Sequence, residues 1–141
     1  MAAFNKFDAF VEALAEKVHN LGSDTLKVYL TNATPSASTN AVKADLAEIS
    51  AGNGYTAGGN TAAVTSSTQT GGLYKLVLAD PTSWAATGGS MGPFRYAVLY
   101  NSTTASGNLI GWWDYGTSIT LSSGDTFTVD FDPTTGVLTL Q

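Results

Sequence analysis

Two periodicities divide the chain. From residue 4 to residue 21, Phe4, Phe7, Phe10, Val11, Leu14, Ala15, Val18 and Leu21 recur at three- and four-residue intervals, the spacing of an amphipathic helix. Lys6, Asp8, Glu12, Glu16, Lys17 and Asn20 fall mostly on the opposite face. Gly22 stands where a left-handed helix terminus is wanted, so the spacing predicts one helix over 4–21. Its apolar stripe is expected to pack on a sheet. Its aromatic front end, Phe4 and Phe7, is a candidate contact with a neighbouring subunit.

After Gly22 the period falls to two. Residues 25–30 alternate and predict a first strand. Further strands are expected over 62–66, 73–79, 95–100, 109–115, 118–121, 127–131 and 137–140, separated by Gly-, Ser- and Asn-rich turns. Asp132-Pro133-Thr134-Thr135-Gly136 reads as a tight connection. Its Asp can bond its own backbone, its Pro presets φ and its Gly admits positive φ. Residues 45–49 are open between a helical turn and a short strand. The glycine-rich run 52–59 reads as a surface loop with Tyr55 as its one large side chain, and 32–43 and 81–92 as long loops. Short strands with frequent turns and no helix–strand alternation predict a mainly β fold: an antiparallel β-sandwich or barrel-like domain with one N-terminal amphipathic α-helix. At 141 residues the chain reads as a single domain, helix 4–21 followed by a β-rich body over 24–141.

Composition narrows the function classes. The net charge is −5 and the six basic residues are scattered, which argues against nucleic acid as a partner. Only 12% of residues are charged, against about 25% in an ordinary soluble domain. Thr, Ser, Asn and Gly fill the difference, and such a neutral surface suits a protein packed against neighbours. No apolar run is long enough for a transmembrane helix, so no membrane partner is expected. The first residues lack the basic and apolar regions of a signal peptide.

Chemistry is sparse. The absence of cysteine removes thiol nucleophiles and thiolate metal sites. The lone histidine, His19, is expected on the surface near the helix C-terminus, where a cation is favoured. A catalytic triad or a histidine zinc site cannot be assembled from it. Asp114 and Asp130 are weak candidates for a small hydrolase, and Asp130 with Asp132 for a calcium site. Gly52-Asn53-Gly54 leads into no GK[S/T] sequence and no helical pattern, so it is no phosphate cradle. Trp112 and Trp113 must face opposite sides of a strand. One is expected in the core, the other at a contact or, with Tyr115 or Tyr100, as a platform for sugar rings. The chain is therefore expected to be no enzyme, with no cofactor and no metal.

Several stretches are distinctive as strings. They are Phe4-Asn5-Lys6-Phe7, Asp24-Thr25-Leu26-Lys27-Val28, Ala47-Glu48-Ile49-Ser50-Ala51-Gly52-Asn53-Gly54-Tyr55-Thr56-Ala57-Gly58-Gly59, Gly92-Pro93-Phe94-Arg95-Tyr96-Ala97-Val98-Leu99-Tyr100, and Gly111-Trp112-Trp113-Asp114-Tyr115 with Ser123-Gly124-Asp125-Thr126-Phe127-Thr128-Val129-Asp130-Phe131. Together they resemble a family of small virion structural proteins of tailed bacteriophages, found beside the major capsid protein as head decoration or minor capsid proteins. The resemblance spans nearly the whole chain and brings no catalytic residues. It implies a protein made in the host bacterial cytoplasm that joins the capsid exterior, binds the major capsid protein and stabilises the shell as a dimer or trimer. Phe4, Phe7, Tyr55, Trp84, Trp112 and Trp113 are then the candidate shell or subunit contacts. A tail or neck component of the same virion and a carbohydrate-binding host-attachment module are the competing expectations.

Overall fold

Strand alternation sorts side chains between two cores. The structure is a computed structural model that describes residues 2–141. In chain order its elements are β1 (Asn5–Lys6), α1 (Asp8–Ala15), β2 (Leu26–Thr31), β3 (Asn60–Thr61), β4 (Val64–Thr70), β5 (Leu73–Leu78), β6 (Trp84–Ala85), β7 (Met91–Asn101), β8 (Leu109–Leu121), β9 (Thr126–Phe127) and β10 (Leu138–Leu140). Leu26, Val28 and Leu30 of β2 enter the larger core, while Tyr29 between them enters a smaller one on the other face. On β7, Ala97 and Leu99 join the larger core and Val98 and Tyr100 the smaller. That is the period of two written into a sheet covered on both sides.

The main sheet has the order β1-β8-β7-β2-β3, and every pairing in it is antiparallel. The sheet β10-β5-β4 packs over its larger-core face through Leu76, Leu78 and Leu138. The pair β6-β9 closes one flank, with Trp84 opposite Phe127. The arrangement is an unequal antiparallel sandwich with one short N-terminal helix, and its strands do not close into a barrel. The smaller core lies under residues 42–58, where Leu46 joins Phe7, Tyr29, Val98, Tyr100 and Leu109.

The helix is shorter than its periodicity predicts. Asn5 and Lys6 pair with Trp112 and Gly111 as an edge strand, and the helix runs only over Asp8–Ala15. Gly111 explains the strand. A methyl on it would run into the Phe4 ring and lie 2.6 Å from the Asn5 carbonyl oxygen, so glycine is what admits the N-terminal segment. Phe4 and Phe7 sit at helical spacing, yet the extended backbone around β1 sends Phe7 into the smaller core and Phe4 against the larger one.

The helix ends at Lys17, not at Gly22. Lys17 adopts φ 67°, its N–H bonds the Leu14 carbonyl, and the Val18 N–H bonds the Ala13 carbonyl at 2.9 Å. This is a Schellman ending with a non-glycine residue in the left-handed position. A side chain there is strained. Lys17→Gly is therefore expected to raise stability by about 0.5–1 kcal/mol, read as a higher urea midpoint with an unchanged m-value.

Elsewhere the turn chemistry acts as its residues suggest. Gly71 and Gly72, at φ 61° and 86°, join β4 to β5 as a two-residue hairpin. Asp132 Oδ1 accepts from the Thr134 and Thr135 N–H groups, and Gly136 closes the turn at φ 76°. The strands expected over 109–115 and 118–121 are one strand, β8, interrupted by a bulge. The strand expected over 127–131 is laddered only at Thr126–Phe127. The 81–92 segment is less of a free loop than expected, since it carries β6 and the first residues of β7.

Candidate functional site

Four of the six aromatic residues proposed as contacts are consumed inside the chain. Phe7, Tyr55, Trp84 and Trp113 are buried, at 0%, 3%, 1% and 9% exposure. They cannot be outward anchors, and for these residues the expectation is corrected. Long and glycine-rich segments carry Tyr55 and Trp84, but both segments fold back on the sheets. Gly54 approaches the Ala85 carbonyl so closely that a methyl there would overlap it, which brings the two segments together. Phe4 and Trp112 are half-buried. Phe4 packs on Trp113 at 5.3 Å between ring centroids, and Phe7 on Trp112 at 4.5 Å. These four rings meet where β1 joins β8, while Tyr55 and Trp84 lie apart from that seam. Trp112 and Trp113 do face opposite sides of β8, one in each core.

The titratable groups mostly hold the fold together. Glu48 is the centre of one network. Its Oε2 accepts from the Tyr55 hydroxyl and the Gly58 N–H, each at 2.8 Å, and its Oε1 pairs with the Lys43 ammonium. The Tyr100 hydroxyl donates to the Gly58 carbonyl at 2.8 Å, and the Tyr29 hydroxyl to the Leu46 carbonyl at 3.0 Å. Burial pushes the Glu48 carboxyl up, but the Lys43 ammonium, the Gly58 N–H and the Tyr55 hydroxyl together hold it below the usual carboxylate range. Burial raises Tyr29, Tyr55 and Tyr100, and the nearby Glu48 charge adds to the shift in each. Protonated phenols around an ionised carboxylate fasten the 42–58 segment to the sheet.

His19 is buried, not exposed on a helix end. Asn101 Oδ1 accepts from the Thr103 N–H, so its Nδ2 points at Asp24 Oδ2 (2.6 Å) and His19 Nδ1 (3.1 Å). Nδ1 is thus an acceptor, and the proton of the neutral ring sits on Nε2, which has no protein acceptor. Burial lowers the His19 pKa, with Asp24 opposing part of the shift. A lowered folded pKa means that the unfolded chain takes up the proton first as pH falls. The His19 contribution is therefore fully present above about pH 6.5, the ordinary histidine value, and is lost as pH falls through the folded value. Urea midpoints at pH 7.5 and 5.5 should show a fall for the native chain and a smaller fall for His19→Gln.

Asp114 and Arg95 form a two-pronged pair, Nε to Oδ1 at 2.8 Å and Nη2 to Oδ2 at 2.9 Å. The pair raises the Arg95 pKa and lowers that of Asp114, which also accepts from the Gly116 N–H. Asp132 is committed to its turn, and Asp80 Oδ1 accepts from the Phe131 N–H at 2.7 Å. Among the described residues, no group of three His, Asp or Glu side chains is gathered that could hold a metal ion.

Two surfaces remain. One is a hollow lined by apolar Leu14, Leu21 and Leu140 with Tyr74, and by polar Lys17, His19, Asn20 and Ser67. Val11 and Val18 are exposed at 50% and 38%, and Leu140 at 38%. Val11 lies one turn before Leu14 on the same helix face, and Val18 lies between the two lining residues Lys17 and His19. Exposed Leu73 begins the strand that carries Tyr74. The helical period shows these positions as apolar, but not that the helix leaves part of its stripe uncovered.

The second surface is a groove of about 340 Å³ between β7, β8 and residues 127–131. Ala97, Trp113 and Phe131 form its floor, with Arg95, Thr128 and Asp130 around them. Tyr115, 55% exposed, stands at its mouth and meets Phe127 edge-on at 5.7 Å. The sequence offers Tyr115 only as a companion to an exposed Trp112 or Trp113 in a sugar platform, not as the exposed ring of a separate groove. The available signal is the isolated Gly116 inside a strand pattern, which marks a bulge.

The chain matches no family model, no curated protein and no solved structure.

Proposed function

We propose that this chain is a non-catalytic structural component of a tailed-phage virion, a decoration protein that binds the major capsid lattice from outside as a dimer or trimer and stabilises the shell. The observation that carries the reading is the exposure of three large apolar side chains, Val11, Val18 and Leu140, the last of which lines a hollow together with Leu14 of the helix. Exposed apolar side chains beside a hollow suit a protein-binding surface. Each that becomes buried contributes roughly 1–2 kcal/mol. Repetition of a modest contact around a shell multiplies its effect through avidity. The resemblance of the quoted stretches to virion structural proteins supports the same reading, as does the low surface charge.

The patch replaces the buried aromatics as the anchor. Its test uses expanded shells of the encoding phage, stripped of this protein, with co-sedimentation as the readout. The native chain should sediment with the shells and raise their melting temperature. The double variant Val11→Asp, Leu140→Asp alters only exposed positions and should stay in the supernatant while keeping its own thermal midpoint. Equal sedimentation of native chain and variant refutes the patch as anchor. Association of the native chain with purified tails and not with shells refutes the capsid placement and moves the protein to the tail or neck.

A further inference from the structure

Tyr115 owes its position to a break in the main sheet. Phe94 is paired with Ile119 and Tyr96 with Asp114, so Arg95 alone on β7 stands opposite residues 115–118 on β8. The bulge carries Gly116 at φ 101°, and the Gly116 N–H bonds Asp114 Oδ1 at 2.7 Å. Bulges of this kind interrupt a ladder and re-aim a side chain. Here the re-aimed side chain is an aromatic ring held more than half exposed at the mouth of a cavity. A volume of about 340 Å³ falls at the small end of the ~300–1,000 Å³ usual for ligand clefts.

The polar groups around the groove constrain what can enter. The Arg95 charge is neutralised by Asp114, and Asp130 leaves the groove with a net negative charge. Anionic ligands are therefore disfavoured. A cationic ligand would want several aromatic faces turned toward it. Trp113 and Phe131 are only 9% and 5% exposed, so Tyr115 is the one well-exposed ring and no cage forms. What fits is a neutral ligand with one apolar face and a hydroxylated edge. Arg95 spends two of its five N–H donors on Asp114, and Asp114 Oδ2 accepts a single bond. Arg95, which lines the groove, thus keeps unused donors, and its partner Asp114 keeps an unused acceptor.

We propose that the Tyr115 groove binds a neutral pyranose unit of a glycan, stacked on Tyr115 and hydrogen-bonded by the Arg95–Asp114 pair. This site differs from a sugar platform on Trp112 or Trp113, whose rings are packed against Phe7 and Phe4. It does not depend on the apolar patch or on placement in a virion.

The test is a titration of the whole chain by amide NMR. The probes are methyl glycosides and oligosaccharides ending in glucose, galactose, N-acetylglucosamine or rhamnose, with a sialylated glycan and choline chloride alongside. At least one neutral saccharide should shift the amides of residues 128–130 in a saturable way below about 10 mM. Tyr115→Ala should weaken that saccharide roughly tenfold or more, and Tyr115→Phe should retain it, since stacking uses the ring and not the hydroxyl. Asp114→Asn should weaken it while leaving the thermal midpoint near native. Val11→Asp should bind as the native chain does. The proposal is overturned if no neutral saccharide in the panel shifts these amides, if choline or the sialylated glycan alone does so, or if Tyr115→Ala binds like the native chain.

Discussion

Gly59→Ala is expected to cost about 3 kcal/mol or more of folding stability. Two effects add at this position. Gly59 adopts φ 70°, where a β-carbon is strained. A methyl there would also overlap the Val28 carbonyl oxygen and come within 2.7 Å of the Tyr29 Cα. Both obstacles are backbone atoms of the strand that feeds both cores, so neither can swing aside. The loop would have to lift from β2, taking with it the Gly58 bonds to Glu48 and Tyr100 and the register of β3. Gly88→Ala is the control. Gly88 has φ 74° but open space around its Cα, so it carries the strain without the collision. Urea denaturation should show a loss of about 1 kcal/mol for Gly88→Ala and several-fold more for Gly59→Ala. Equal losses would mean that the close approach to β2 is not what the glycine provides.

Trp84→Ala is expected to cost about 3–5 kcal/mol, a large share of the ~5–15 kcal/mol that holds a typical domain folded. Trp84 is 1% exposed, fills the junction of the β6-β9 pair with the larger core, and faces Phe127 at 6.2 Å. Its Nε1 has no protein acceptor, so the indole contributes volume and contact and no protein hydrogen bond. Trp84→Phe should accordingly recover most of the loss. If Trp84→Phe proved as damaging as Trp84→Ala, the role of the side chain would lie in its N–H and not in filling space.

Trp84 also shows why the sequence misplaced the contacts. Strands were legible because alternation is local: Leu26, Val28 and Leu30 announce their face within six residues. The paired Trp112 and Trp113 announced opposite faces for the same reason. Whether an aromatic residue in a long loop points outward depends on what the loop folds against, and no local period carries that. Tyr55 lies amid glycines that read as a surface loop. Gly54 and Gly59 in fact serve close backbone approach, the other use of glycine. Phe4 and Phe7 match a helix equally well as a strand followed by a turn. The smooth side of Gly111, more than a hundred residues away, decides between them. A helix running to Gly22 would carry His19 on its surface. Once Lys17 ends it, the chain turns His19 inward to Asn101 and Asp24. Of the two candidate surfaces, the apolar patch uses residues visible in the helical stripe, whereas the groove needs Arg95, Tyr115 and Asp130 to be gathered from three segments.

The pairing of β1 with β8 also governs how the protein is made. Asn5 and Trp112 are neighbours in the sheet although 107 positions apart in the chain. Leu26 likewise waits for Asn101. On a ribosome that adds residues in order, β1 stays without its partner, and β2 has only the short β3, until β7 and β8 have emerged. The five-stranded sheet is complete only once β8 is available, and its rate of formation is limited by long loop closures and not by local helix formation.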